Sequence, residues 1–386
     1  MRTRRLTSAG LGRGIRGAVA DKHNIKRVDR LLGNRKLHAE MGDIYGAMAR
    51  KVLGRMRRPL ISVDWTDAGN NFEALVATIA IDGRSLPIYG EVHPIAKGTR
   101  TAVEMAFVVT LKERIVPEDC RPIIVADAGF RCPWWQAVAS VGWDFVGRIS
   151  SLVKLAPANA QGYDPENHLL WRPARAFFSK ATSRAKNLGA YYVSRRNGLQ
   201  ASLVRYKNLP KKRQGARSVT RKGVHPGSSS YKKYQRRAQE PWLLVTSLKD
   251  ADPRQVVKIY ARRMTIEETF RDMKSHRFGW SYEDARCKSA KRIAVLFLIA
   301  ALAMSALILA GWLAEKAKIQ RHFSANTIRK RRVLSYFYLG NCILFSPLVE
   351  AIRHHLTNAK LEDLEPLLAR YIETSPEIGT HFVGIR

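Results

Sequence analysis

The stretch YARRMTIEETFRDMK, Tyr260 to Lys274, sets one acid among three groups suited to holding phosphate. If it forms a single helix, side chains turn by about 100° per residue. With Glu267 at zero, Tyr260 then falls at about +20°, Arg263 at about −40° and Lys274 at about −20°. The apolar residues Ile259, Ile266, Phe270 and Met273 fall between roughly −60° and −120° on the same wheel. Glu267 therefore belongs at the rim of the buried face, whereas Glu268, about 100° further round, points away from it. A start signal precedes the stretch: Asp252 as N-cap, Pro253 at the first helical position and Gln255 where a capping-box partner belongs. For this helix taken alone, an ordinary solvated charged face gives the same pattern.

Two further acids shift the balance toward chemistry. PLISVDWTD, from Pro59, and PIIVADAGF, from Pro122, both read as short apolar strands running into an aspartate, Asp64 and Asp127. Between them lie NFEALVATIAI, a turn signal at Asp82 and Gly83, and SLPIYGEV, so the Asp64 strand opens a three-stranded antiparallel meander. A helix follows from Thr101, whose spacing to Glu104 matches a capping box, and runs to about Arg114. Next come the Asp127 strand, a helix opening at Pro133 and a fifth strand at DFVGRIS. The order βββαβαβ is an α/β pattern, closed by the later helix that bears Glu267. Ligands in open α/β sheets gather at the carboxyl ends of strands, where the three carboxylates would meet if the two aspartate strands are neighbours.

Three carboxylates without a histidine or thiol partner suit a hard, oxygen-seeking cation such as Mg²⁺ or Mn²⁺. Two such ions about 3.5–4 Å apart stabilise the attacking and leaving oxygens of an in-line phosphoryl displacement. The reaction class is phosphodiester hydrolysis or strand transfer on nucleic acid.

The spacing Tyr260, Arg263, Glu267, Lys274 resembles the signature of DDE transposases of bacterial insertion sequences, in the insertion-sequence-four family and most closely its insertion-sequence-ten branch. KHNIKRVDRLLGN from Lys22, SVDWTD around Asp64, VADAGFRCPW around Asp127 and EPWLLVTSL from Glu240 are also similar to that family. The resemblance implies a ribonuclease-H-like catalytic core and cut-and-paste transposition. Asp64, Asp127 and Glu267 would be the catalytic metal ligands for two Mg²⁺ or Mn²⁺ ions. Tyr260, Arg263 and Lys274 would contact transposon-end DNA. It also implies that Trp242 stacks on a base flipped from the duplex during hairpin formation, an interaction typically worth about 1–3 kcal/mol. By generic chemistry a tryptophan there is a core aromatic. The expected partners are double-stranded DNA, as inverted-repeat ends and as target, and a second copy of the chain in a synaptic homodimer. A nuclease of the same fold without strand transfer, and a catalytically dead DNA-binding relic with a shortened front end, remain as alternatives.

Composition fits a polyanionic partner: 67 Lys and Arg against 32 Asp and Glu leave a net charge of +35. Cys120, Cys132, Cys287 and Cys342 are far apart and form no CxxC pair, which predicts neither a zinc site nor a disulfide framework and suits a reducing cytoplasm, in association with the nucleoid. IAVLFLIAALAMSALILAGWLA, after Arg292, is uncharged and long enough to span a bilayer. A helix apolar all round is also what the centre of a large core requires, and a single Ala-rich run in a basic enzyme reads as that, with no membrane partner. The N-terminus is Arg-rich but lacks the apolar stretch of a secretory signal.

The segments divide accordingly. Residues 1–58 read as a helical DNA-binding module, two helices broken at Gly33 and Asn34, or as a basic hairpin packed on the core. Residues 59–150 and 252–319 form the two parts of the ribonuclease-H-like core. Residues 151–251 form a β-rich insertion with a hairpin around Asn197–Gly198. The insertion ends in an acid-free loop, Lys207 to Arg237, where Lys211, Lys212 and Arg213 would track phosphate. Residues 320–386 read as a helical C-terminal region whose Leu361, Leu364, Leu367 and Leu368 share a face, for core packing or for a protomer contact.

Overall fold

A computed structural model describes residues 5–54, 56–96, 98, 100–158, 162–207, 240–276, 279–324, 328 and 332–368. The chain divides into two compact units, Met1–Ile124 with Arg262–Arg386, and Val125–Ala261. The first begins with helices α1 (Ser8–Gly14), α2 (Asp21–Leu32) and α3 (Arg35–Leu53), the last two meeting at Gly33 and the N-cap Asn34. Strands β1 (Leu60–Gly69), β2 (Phe72–Ile81) and β3 (Arg84–Pro94) follow, then α4 (Arg100–Thr110) with a π-turn at Leu111–Ile115. The chain crosses to the second unit within β4 (Ile123–Ala126) and continues through α5 (Cys132–Ser140), β5 (Asp144–Arg148), β6 (Lys154–Pro157), β7 (Arg172–Pro173), β8 (Lys186–Val193), β9 (Leu199–Tyr206) and β10 (Trp242–Thr246). Helix α6 (Pro253–Arg262) leads back to the boundary. The first unit closes with α7 (Met264–Lys274), α8 (Ala290–Lys316), α9 (Tyr336–Leu344) and α10 (Arg353–Asn358). The architecture is mixed α/β, and the segment β1-β2-β3-α4-β4-α5-β5 follows the order read from the sequence.

In the first unit β1, β2 and β3 form an antiparallel meander. Both of its turns are two residues long with positive φ throughout, Asn70 (49°) with Asn71 (65°) and Asp82 (38°) with Gly83 (82°). That backbone twist matches the flanking strands, and Asn, Asp and Gly tolerate it best. The middle strand β2 is buried at every position but its first, because helices cover the sheet on both sides. On the face of Trp65 and Tyr89, Tyr45 of α3 and Phe107 of α4 pack against Tyr89 with ring centroids at 5.4 and 5.2 Å. Helix α4 begins at Arg100, so Thr101 lies inside it rather than at its cap. Glu104 faces the core instead of the helix start, accepting a hydrogen bond from the Trp65 indole at 2.9 Å. The expected capping box is therefore not formed: a buried indole N–H needs an acceptor, and Glu104 supplies it.

Helix α8 carries the apolar run. By length and composition it could cross a membrane, with a hydropathy of 2.9 over its most apolar window, yet 78% of that window is buried within the protein. It packs against β3, α3 and α9. Its approach to α9 is closest at two glycines. A Cβ on Gly340 would fall 1.8 Å from the Leu307 carbonyl oxygen, and one on Gly311 would fall 2.1 Å from that of Tyr336. Beside this crossing Ala310, Ala314, Leu339, Ile343 and Ile352 form a buried cluster. Of the C-terminal leucines, Leu364, Leu367 and Leu368 are buried, which assigns that face to packing within the chain.

In the second unit the strands run in the order β5-β10-β9-β8-β6-β7, with β10 antiparallel to both β5 and β9. Helix α5, with Pro133 in its first turn, lays Trp135 directly on Gly147 of β5, where a Cβ would fall 2.1 Å from the indole ring. The hairpin of β8 and β9 turns through five residues, Ser194 to Gly198, wider than an Asn-Gly two-residue turn, with positive φ at Ser194 and Gly198.

Candidate active site

Asp64 lies in the middle of β1, paired with Val76, and the strand continues to Gly69. The apolar run alone predicts a short strand leading into the aspartate; the meander extends it because Asp67 still pairs with Glu73 of β2. Alternation turns Asp64 to the face opposite Trp65. On that face lie Arg263, at the N-cap of α7, and Glu267 of α7. The Arg263 guanidinium donates from Nη1 to Asp64 Oδ2 at 2.9 Å and from Nη2 to Glu267 Oε1 in a shorter contact. Asp64 Oδ1 also accepts from the backbone N–H of Trp65 at 2.9 Å. The Arg263 side chain is 9% exposed and Asp64 15%, whereas Glu267 is 46% exposed. One buried cation thus spans two carboxylates, one sheltered and one open to solvent.

The single helix expected from Pro253 to Lys274 is interrupted. Helix α6 ends at Arg262, α7 begins at Met264, and Arg263 between them keeps right-handed dihedrals (φ −53°, ψ −32°). The apolar periodicity therefore continues within α7 but does not run unbroken to Tyr260. At the front of α6, Asp252 caps as its position suggested, accepting from the Arg254 N–H at 2.7 Å.

Polar contacts that the sequence reading missed fix α7 on the sheet. With Ile81 and Arg84 flanking the two-residue turn, the N–H and C=O of Ser85 face away from β2, on the outer edge of β3. One hydroxyl reaches both: Thr269 Oγ1 accepts from Ser85 N at 2.8 Å and has its single proton to share between Ser85 O at 2.9 Å and Thr265 O, one turn back in the helix, at 3.1 Å. Ser85 and Thr269 are fully buried. One turn further, Arg84 Nε donates to Asp272 Oδ2 at 2.5 Å, and Arg84 Nη1 lies 3.8 Å from Glu268. Burial pushes the Asp272 carboxyl above its usual range, with Arg84 pulling it back. Glu268 also pairs with Arg271, so it is engaged by cations outside the Asp64 cluster. The available signal was Thr269 and Asp272, two polar residues set among the apolar positions of α7.

Lys274, at the end of α7, lies 3.9 Å from Glu283 and is 22% exposed. In the second unit Tyr260 is buried, edge-on to half-buried Trp242 with centroids at 4.9 Å, and Trp242 in turn meets Tyr206 at 5.7 Å. Asp127 follows β4 directly and is half-buried, its Oδ1 accepting from Gly129 N at 2.7 Å. Ile123 N donates to Pro59 O at 2.9 Å, so the start of β4 lies beside the start of β1. Lys211, Lys212 and Arg213 lie outside the described residues. Among the described residues no group of three or more His, Cys, Asp or Glu side chains is placed to hold a metal ion. Asp64 and Glu267 nonetheless converge on a single cation through oxygen atoms only, the donor chemistry a hard divalent ion requires.

A family model described as "Transposase DDE domain" matches residues 55–304. No curated protein matches the chain.

Proposed function

Because this chain belongs to the DDE transposase family, with more than half its length inside the matched domain, we propose that it is a cut-and-paste transposase whose catalytic acids are Asp64, Asp127 and Glu267. The observation that carries the assignment is the convergence of Asp64 and Glu267 on one cation in the same unit. Enzymes of this family use divalent metal ions. Held by the three acids, such ions would activate water and stabilise charge on the phosphoryl oxygens. The spacing of Tyr260, Arg263, Glu267 and Lys274 supports membership of the insertion-sequence-four family, in its insertion-sequence-ten branch, and with it a ribonuclease-H-like core.

The chain's own residues orient the substrate. Lys274, on the same helix as Glu267, would hold a phosphate oxygen of the transposon end, and Arg263 would take a second one bidentately. Neither needs to move a proton, since preorganised positive charge at the reacting phosphate is itself catalytic. The buried Tyr260 would brace Trp242, whose ring would receive a base displaced from the duplex. Residues 1–58 would contribute to end recognition, and Lys211, Lys212 and Arg213 would add contacts to phosphate. The active form would be a homodimer pairing two DNA ends, in the cytoplasm and on the nucleoid.

The test is a reaction of the purified chain with its terminal inverted repeats and a supercoiled target in Mg²⁺. Cleaved ends joined to the target are expected. Cleavage without joining would make the protein a nuclease of the same fold. Absence of any Mg²⁺-dependent cleavage would make it a DNA-binding relic.

A further inference from the structure

We infer that Arg263 is the resident counter-ion of the acidic site in the DNA-free protein, and that it must vacate Asp64 and Glu267 before a divalent ion can settle between them. This inference rests on the metal reading above. The Arg263 guanidinium already occupies the position between the two carboxylates, with a contact to each. An arginine stays charged at any physiological pH, so it gives up the site by moving, not by losing a proton. The two carboxylates that hold the guanidinium present oxygen donors to any hard cation that takes its place. Glu267, 46% exposed, gives that cation a way in, while Arg263 is shielded at 9%. The arginine also stands at the one-residue break between α6 and α7, as the N-cap of α7, its carbonyl accepting from Ile266 N at 3.0 Å.

Two consequences follow. Metal binding to the free protein carries the cost of breaking two charge-assisted hydrogen bonds. DNA reduces that cost, because a backbone phosphate gives the displaced guanidinium a new bidentate partner. Metal and DNA binding then favour one another by the same factor in both directions.

The experiment is a titration of the full chain with MnCl₂, free Mn²⁺ being read by electron paramagnetic resonance, with and without a DNA duplex. Arg263→Gln should bind Mn²⁺ more tightly than wild type by about tenfold or more in the absence of DNA, since removing one unit charge at contact distance is worth at least the bulk-water Coulomb energy in a site this sheltered. The duplex should tighten Mn²⁺ binding in wild type and do so less in the variant. Arg263→Lys, a point charge that cannot span both acids, should fall in between, and it decides the matter if the Gln variant does not fold. A gain in affinity is an outcome that mere loss of structure does not produce. Mn²⁺ binding that Asp64→Asn abolishes but that is unchanged or weaker in the Arg263 variants overturns the inference alone. Wild-type binding that is indifferent to Asp64→Asn overturns the metal reading and the inference together.

Discussion

Thr269→Val keeps the shape of the side chain and removes the hydroxyl that joins α7 to β3. The Ser85 N–H and C=O are buried on the outer edge of that strand, and Thr269 Oγ1 is the partner of both, at 2.8 and 2.9 Å. A buried polar group stripped of its partner costs about 1–3 kcal/mol, so two stripped at once should cost about 2–4 kcal/mol, allowing for partial relaxation. Thr269→Ser is the control, because it keeps the hydroxyl and gives up one methyl group, about 1 kcal/mol. Urea unfolding followed by tryptophan fluorescence measures both changes, and amide exchange at Ser85 reports the bond itself. Protection of the Ser85 amide should collapse in the Val variant and persist in the Ser variant. Cleavage of end DNA should fall with it, since α7 carries Glu267 and Lys274 and is capped by Arg263. Equal destabilisation by Val and Ser, or a Ser85 amide still protected in Thr269→Val, would refute the role given to the hydroxyl.

Asp64→Ala, Asp127→Ala and Glu267→Ala should each abolish strand cleavage while leaving duplex binding in a mobility-shift assay nearly intact. Glu268→Ala, whose carboxylate is engaged by Arg84 and Arg271, should retain most activity. Gly340→Ala should destabilise the first unit by about 3 kcal/mol, at the upper end for overpacking, because its methyl meets the backbone oxygen of Leu307; calorimetry reads the drop in melting temperature. Burial raises the Cys120 thiol to about 12 and the Cys132 thiol to about 11. Both stay protonated at neutral pH, so mass spectrometry should find them unalkylated by iodoacetamide until the chain is denatured. Neutralising Lys211, Lys212 and Arg213 together should weaken binding to all duplexes alike and flatten the plot of log affinity against log salt by roughly 2 to 3 units. An unchanged slope would move the work of the +35 charge to other surfaces.

The meander was legible because its signals are local: two-residue turns of Asn, Asp and Gly between apolar runs fix both register and hand. Glu104 was misread for a reason the local pattern cannot contain, since its partner Trp65 lies 39 residues earlier. The break at Arg263 has no glycine or proline to mark it, and its backbone stays right-handed, so periodicity ran straight through. Within α7 the apolar stripe of Ile266, Phe270 and Met273 faces the core as read, yet Glu268, expected to point away from it, is the less exposed glutamate, because Thr269 and Asp272 widen the buried face and Arg84 of β3 reaches it. What it could not reveal was Ser85 with Thr269 and Arg84 with Asp272, pairs separated by 184 and 188 residues. The same limit hid the arginine bridge: spacing placed Arg263 near Glu267, but only the fold brings Asp64 to its other side.

The long apolar helix α8 has a meaning for biosynthesis as well as for packing. As it leaves the ribosome, a window with a hydropathy of 2.9 resembles the segments that the membrane-insertion apparatus selects. The order of the chain protects it. Helix α3 and strand β3, which cover it, are synthesised long before it emerges; α10 and residues 361–364, which also touch it, come later, and the nearest helix still to come is α9. At ordinary elongation rates that wait lasts about one to four seconds. Linear order thus matters to its fate: the same helix placed ahead of α3 and β3 would emerge before the surfaces that cover it, and the bilayer would be its nearest apolar partner.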